Sequence, residues 1–123
     1  IGIDIIKSMN NKIENISSEA EEKLSKFKLE ANLEKDKVSL YKLENDIRNL
    51  IITTKKYAAE QSDTFWETEN LLPKEKIYNI WKAFYISAIK ELEKIKEKSY
   101  ENLMESYKRK LAEIAIAEEI LRK

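Results

Sequence analysis

The side chains of this chain that could do chemistry are carboxylates, lysines and aromatic rings, because histidine and cysteine are absent. Two carboxylates act as an acid–base pair only when they converge on one reacting group. The closest pairs here, Glu21-Glu22 and Glu118-Glu119, are sequence neighbours. Neighbours on a helix point about 100° apart and do not face one another, so these pairs read as solvated surface. Without His or Cys, the usual structural zinc sites, the Glu-x-x-His ligands of di-metal bundles and Ser-His or Cys-His catalysis cannot be built. The only glycine, Gly2, leaves no phosphate loop and no dinucleotide fingerprint. No spacing singles out a lysine. The chain is expected to be non-enzymatic, with no cofactor and no metal.

The aromatic residues remain as candidates. Phe65-Trp66 stands where helical patterning lapses, ahead of the only proline, Pro73. These rings either plug the end of a bundle or anchor a partner, since Trp and Tyr often dominate interface energy. Tyr78, Trp81, Tyr85, Tyr100 and Tyr107 share one stripe. They read as core and seam packing, or as a half-buried subunit interface in which each phenol needs a partner for its hydroxyl. A Trp at the turn of a helical hairpin resembles small bacterial type VII secretion substrates. Those carry Trp-x-Gly at the turn, whereas Trp66 is followed by Glu67-Thr68, and the chain is not assigned to that family.

The elements that must position these rings are helices. Tyr78, Trp81, Tyr85, Ile89, Leu92, Lys96, Tyr100, Leu103, Tyr107, Leu111, Ile114, Glu118 and Leu121 follow in steps of three or four, uninterrupted by Gly or Pro. The pattern predicts one helix over 73–122, about fifty residues and roughly 75 Å long. Pro73 suits its first turn, and Leu72 before it should be extended. A second stripe, Ile6, Met9, Ile13, Ile16, Ala20, Leu24, Phe27 and Ala31, predicts a helix over 4–31. A third, Leu33, Leu40, Leu43, Ile47, Leu50, Thr54 and Tyr57, predicts one over 35–65, with a tip at 66–72. The second and third stripes slip phase between Ala31 and Leu33, so the chain breaks, kinks or changes its buried face near 32–37. Asp36 occupies a core-like position of the third stripe and is expected at the surface through fraying there. Lys96, which interrupts the long stripe, can lay its stem on the core and keep its ammonium in water.

The long stripe repeats every eleven residues and the 33–57 stretch every seven, which favour different supercoils. Between Ile77 and Ile95 apolar residues cover most of the helix circumference, as in a helix buried by several neighbours. The expected fold is therefore all-α: a long antiparallel helical hairpin or bundle with coiled-coil-like packing, in one domain over 1–123. The second side of the long helix is covered either by 4–31 folded back or by a second copy of the chain.

Charge narrows the partners. Formal net charge is zero, with 23 basic and 23 acidic residues interspersed. Sequence-independent nucleic-acid binding draws on a basic patch. The densest cluster, Lys108-Arg109-Lys110, is flanked by Glu105 and Glu113, and with Lys74 and Lys76 it would carry a disfavoured nucleic-acid reading. No apolar run reaches the length of a membrane span. The opening Ile1-Gly2-Ile3-Asp4-Ile5-Ile6 is apolar for an open end, but the polar face beyond it lacks the Lys/Arg richness of an interfacial helix. The chain starts at Ile1 and is read as a processed product, a trimmed form or a fragment. The leading expectation is a helical protein–protein interaction module that self-associates as a homodimer through the aromatic-rich face at 77–107 and binds another protein, with Phe65, Trp66 and the Tyr78, Trp81, Tyr85, Tyr100 and Tyr107 face as candidate anchors.

Overall fold

A computed structural model of the chain describes residues 2–123. The described residues are all-helical, and the order is α1 (Gly2–Lys26), α2 (Leu33–Glu60), α3 (Phe65–Leu71), α4 (Lys74–Glu93), a 3-10 turn (Lys98–Tyr100) and α5 (Glu101–Arg122). Ile1, part of the apolar opening, lies outside the described residues.

Each stripe buries one face of its helix. Met9, Ile13, Ile16 and Ala20 are buried on α1, and Leu40, Leu43, Ile47 and Ile51 on α2. These two helices run antiparallel: Lys23 meets Asp46 at 3.9 Å near one end, and the Lys12 ammonium lies 5.1 Å from the Tyr57 ring centre near the other. The α4 helix runs parallel to α1, with the Lys76 ammonium donating to Asn10 Oδ1 at 3.3 Å. It completes a core in which Ile13, Ile47, Ile80 and Phe84 meet. The nearly all-round apolar stretch of α4 is thus covered by α1 and α2 and, from the remaining side, by α5. Within the chain, the segment predicted as helix 4–31 does fold back on the others.

The predicted helix 73–122 is not one helix. It ends at Glu93 with Lys94 as its C-cap, leaves helical geometry at Ile95–Glu97, and restarts through the 3-10 turn into α5. α4 and α5 then lie antiparallel, with Tyr107 5.9 Å from Phe84 and Lys82 2.7 Å from Glu118. The reason is a mismatch of lengths. The α1 and α2 helices have 25 and 28 residues, or about 40 Å, against roughly 75 Å for the uninterrupted helix. An unbroken helix would carry half its apolar stripe past its neighbours into water. Reversal at the charged segment Lys94-Ile95-Lys96-Glu97 folds the stripe onto itself. The Lys94 ammonium donates to Glu91 Oε2 at 2.6 Å and secures the last turn of α4, while Lys96 is exposed in the connection.

The other boundaries also shift. The break predicted near 32–37 falls at 27–32, and α2 begins at Leu33 behind Asn32, whose side chain accepts the Lys35 N–H at 3.2 Å. Ala31 takes a left-handed conformation with φ 61° to reverse the chain. Leu72 is extended as expected, and Pro73 is the N-cap of α4, one residue before its first turn. The predicted tip 66–72 is mostly helix. Thr64 caps α3 by accepting the Glu67 N–H at 3.1 Å, so Phe65 and Trp66 begin a short helix and do not end a long one.

Asp36 is not frayed to the surface. It is 1% exposed on the first turn of α2. Its Oδ1 accepts the Glu30 N–H at 2.9 Å and its Oδ2 accepts the Tyr100 hydroxyl at 2.5 Å. A buried polar group is tolerated when its hydrogen bonds are made. One carboxylate thereby ties the α1–α2 connection to the α4–α5 connection.

Candidate interaction surface

The seven aromatic residues singled out by the sequence fall into two groups. Five of them work inside the chain. Trp81 stacks on Tyr85 at 6.0 Å between ring centres, and Tyr85 meets Tyr107 at 5.8 Å across the α4–α5 contact. The Arg48 guanidinium from α2 lies 5.7 Å from the Trp81 ring, on the electron-rich ring system that attracts cations. Tyr100 is buried against Asp36. Tyr78 is half-buried and lines a shallow cleft with Trp81, Tyr85, Lys110 and Ile114.

The electrostatics agree with this placement. Burial pushes the Tyr107 hydroxyl up to about 12, helped by the Glu44 carboxylate. Burial also raises Tyr85, and Glu44 adds to that shift. Tyr100 is pushed up to about 12, first by burial and then by donating its proton in a hydrogen bond to Asp36.

Phe65 and Trp66 form the second group. They are 80% and 72% exposed, so they do not plug the bundle end. Their backbone is nonetheless fixed. Besides the Thr64 cap, the Asp63 N–H donates to Glu67 Oε2 at 3.2 Å, Thr68 Oγ1 donates to the Thr64 carbonyl at 3.0 Å, and the Ser62 and Thr68 hydroxyls bond to each other. Two large rings are therefore held in water on an ordered turn. Exposed anchors on a pre-ordered backbone lose less entropy on binding. Other apolar side chains stand free near the same end: Ile3 and Ile6 at the start of α1, and Ile120 and Leu121 at the close of α5.

The tip is also acidic. Between Lys56 and Lys74 the chain carries Glu60, Asp63, Glu67 and Glu69 and no cation. Glu69 pairs with Lys74 at 3.8 Å, and among the described residues the other three carboxylates form no ion pair.

The opposite end mixes both signs, but four lysines gather there around one groove, which Asp46 also lines. Lys23, Lys26, Lys28 and Lys42 rim a shallow groove between α1 and α2 whose apolar lining is Phe27 and Leu43. Sequence reasoning missed this cluster because its lysines come from two helices and look evenly mixed with acids along the chain. The antiparallel pairing of α1 with α2 is what gathers them. Of the lysines in the nucleic-acid reading, Lys74 and Lys76 are engaged with Glu69 and Asn10, while Lys108, Arg109 and Lys110 are exposed midway along α5.

Among the described residues, no group of three or more acidic, histidine or cysteine side chains is placed to hold a metal, and no helix is long and apolar enough to cross a membrane. Compared with known protein families, curated proteins and solved structures, the chain matches none of them.

Proposed function

We propose that this protein is a non-enzymatic helical interaction module that binds protein partners by burying helix side chains against helix side chains, as in coiled-coil packing. Self-association is part of this reading. The observation that carries it is the pair Phe65 and Trp66, 80% and 72% exposed on a turn locked by its own side-chain hydrogen bonds. A monomer gains nothing from holding two large rings in water, and aromatic anchors of this kind supply much of the binding energy in protein interfaces. The Tyr78–Tyr107 stripe supports the reading less, because most of its rings are engaged within the chain.

A photo-crosslinking amino acid at position 66, in cells making the full chain, tests this directly. The expected result is a discrete protein adduct from position 66, absent when the same group replaces exposed Lys108 on α5. Equal, diffuse labelling from both positions would refute the reading.

A further inference from the structure

The two ends of the bundle complement one another. One presents two exposed rings beside Glu60, Asp63 and Glu67, which form no ion pair among the described residues. The other presents an open groove floored by the half-buried Phe27 over the buried Leu43, with a rim of four lysines and one carboxylate, Asp46. Two of those lysines are locally balanced, Lys23 by Asp46 at 3.9 Å and Lys26 by Glu22 at 2.9 Å. Lys28 and Lys42 form no ion pair among the described residues. The exposed Val38 and Tyr41 extend the apolar surface on the α2 side. The tip and the groove belong to opposite ends of α2, so one copy cannot satisfy both within itself.

We infer that the tip and the groove are the two halves of a head-to-tail contact, in which Phe65 and Trp66 of one copy seat in the α1–α2 groove of the next. The inference rests on the reading of the tip as an interaction surface and names its occupant, a second copy of this chain. Charge complementarity carries it: Glu60, Asp63 and Glu67 approach Lys26, Lys28 and Lys42, while the rings cover the half-buried Phe27 and the exposed Val38 and Tyr41 beside it. Such a contact uses different patches on each copy, so association proceeds past a dimer unless the geometry closes a ring. Two aromatic side chains bury a few hundred Å² at most, well under the roughly 1,600 Å² of a standard stable interface. The contact is therefore weak, visible at high protein concentration and reduced by salt.

Sedimentation of the full chain at low and high salt, up to about 1 mM protein, tests it with two surface variants. One removes the anchor, Phe65→Ala/Trp66→Ala. The other reverses the rim, Lys26→Glu/Lys42→Glu. All four positions are exposed, and circular dichroism confirms that each variant keeps its helix content. The wild type is expected to grow in mass with concentration at low salt, with association weakened about ten-fold or more in each variant alone. An equimolar mixture of the variants should associate again but stop at twice 14.5 kDa, because only one intact tip and one intact groove remain per pair. A mixture that stays monomeric, a variant that associates like the wild type, or a wild type that remains monomeric overturns the inference. If the wild type is monomeric while position 66 crosslinks to a different protein, the head-to-tail contact falls and the interaction reading stands. If the wild type is monomeric and position 66 also crosslinks to nothing, both fall.

Discussion

Replacing Asp36 with alanine removes the one acceptor shared by the two connections at the lysine-rimmed end of the bundle. The structure sets the size of the effect. Asp36 is 1% exposed and accepts two hydrogen bonds, from the Glu30 N–H at 2.9 Å and the Tyr100 hydroxyl at 2.5 Å. Hydrogen bonds to a charged group contribute about 1.5–3 kcal/mol each, and the substitution also leaves a buried hydroxyl without a partner. Against this, the alanine no longer buries a carboxylate, which recovers part of the desolvation cost. The balance is a loss of about 3 kcal/mol, or roughly 12 °C in Tm for a chain of this length. Asp36→Asn, which keeps the shape and one acceptor, should lose about half as much. Urea unfolding followed by far-UV circular dichroism measures both. The Tyr100→Phe change separates the hydrogen bond from general packing. It destabilises the wild type, but in the Asp36→Ala background it removes an already unpaired hydroxyl and is neutral or stabilising. Additive losses from Asp36→Ala and Tyr100→Phe, or an Asp36→Ala variant as stable as the wild type, would refute the claim that this carboxylate ties the two connections together.

Three further outcomes follow from other positions. Ala31, at φ 61°, bears the steric cost of a left-handed residue. Ala31→Gly should therefore gain about 0.5–1 kcal/mol in denaturant unfolding after glycine's extra unfolded-state entropy is counted, and Ala31→Val should lose stability. Thr54 is fully buried on α2 and its hydroxyl has no hydrogen-bond partner among the described residues. Thr54→Val keeps the shape and should stabilise by about 1 kcal/mol, measured the same way. Tyr100 and Tyr107 carry hydroxyls pushed from the ordinary value of 10.0 up to about 12. Below the ordinary value both folded and unfolded chains hold these protons; above it the unfolded chain releases them first. Stability should hold up to about pH 10 and decline toward pH 12, with Tyr85, Tyr100 and Tyr107, three of the six tyrosines, ionising late in a tyrosinate absorbance titration. Uniform titration of all six near the ordinary value, with the fold intact, would contradict the burial of these rings.

Much of the fold was legible in the stripes. Their three- and four-residue steps specify helices, and the phase slip between Ala31 and Leu33 marks the reversal between α1 and α2. The α4–α5 reversal left no such mark. The connection contains neither Gly nor Pro, and Leu92, Lys96, Tyr100 and Leu103 stay in step across it. A hairpin whose two arms bury the same stripe against each other has the same periodicity as one long helix. Length held the available clue, since nothing else in the chain could cover a helix of about 75 Å. Asp36 was visible as a polar residue at a core position, but its Tyr100 partner lies 64 residues away in the α4–α5 connection. For the candidate surface, Phe65 and Trp66 were legible as aromatics at a tip. Thr64-x-x-Glu67 has the spacing of a helix N-terminus and could have revealed α3. The lysine-rimmed groove depends on the register between α1 and α2, which periodicity does not specify.

The long aromatic stripe is closed within one chain, which leaves the tip as the proposed interaction surface. Spin labels at exposed Asn79 and Ala115, in a protein with no native cysteine to compete for the label, test that closure. The labelled protein is diluted into an excess of unlabelled chain, so that only intramolecular distances are read. The α4–α5 hairpin should give one distance below about 30 Å, set by two packed helices and the label arms. A distance near 54 Å, the span of an unbroken helix at 1.5 Å per residue, would contradict it and return the stripe to the role of an intermolecular interface.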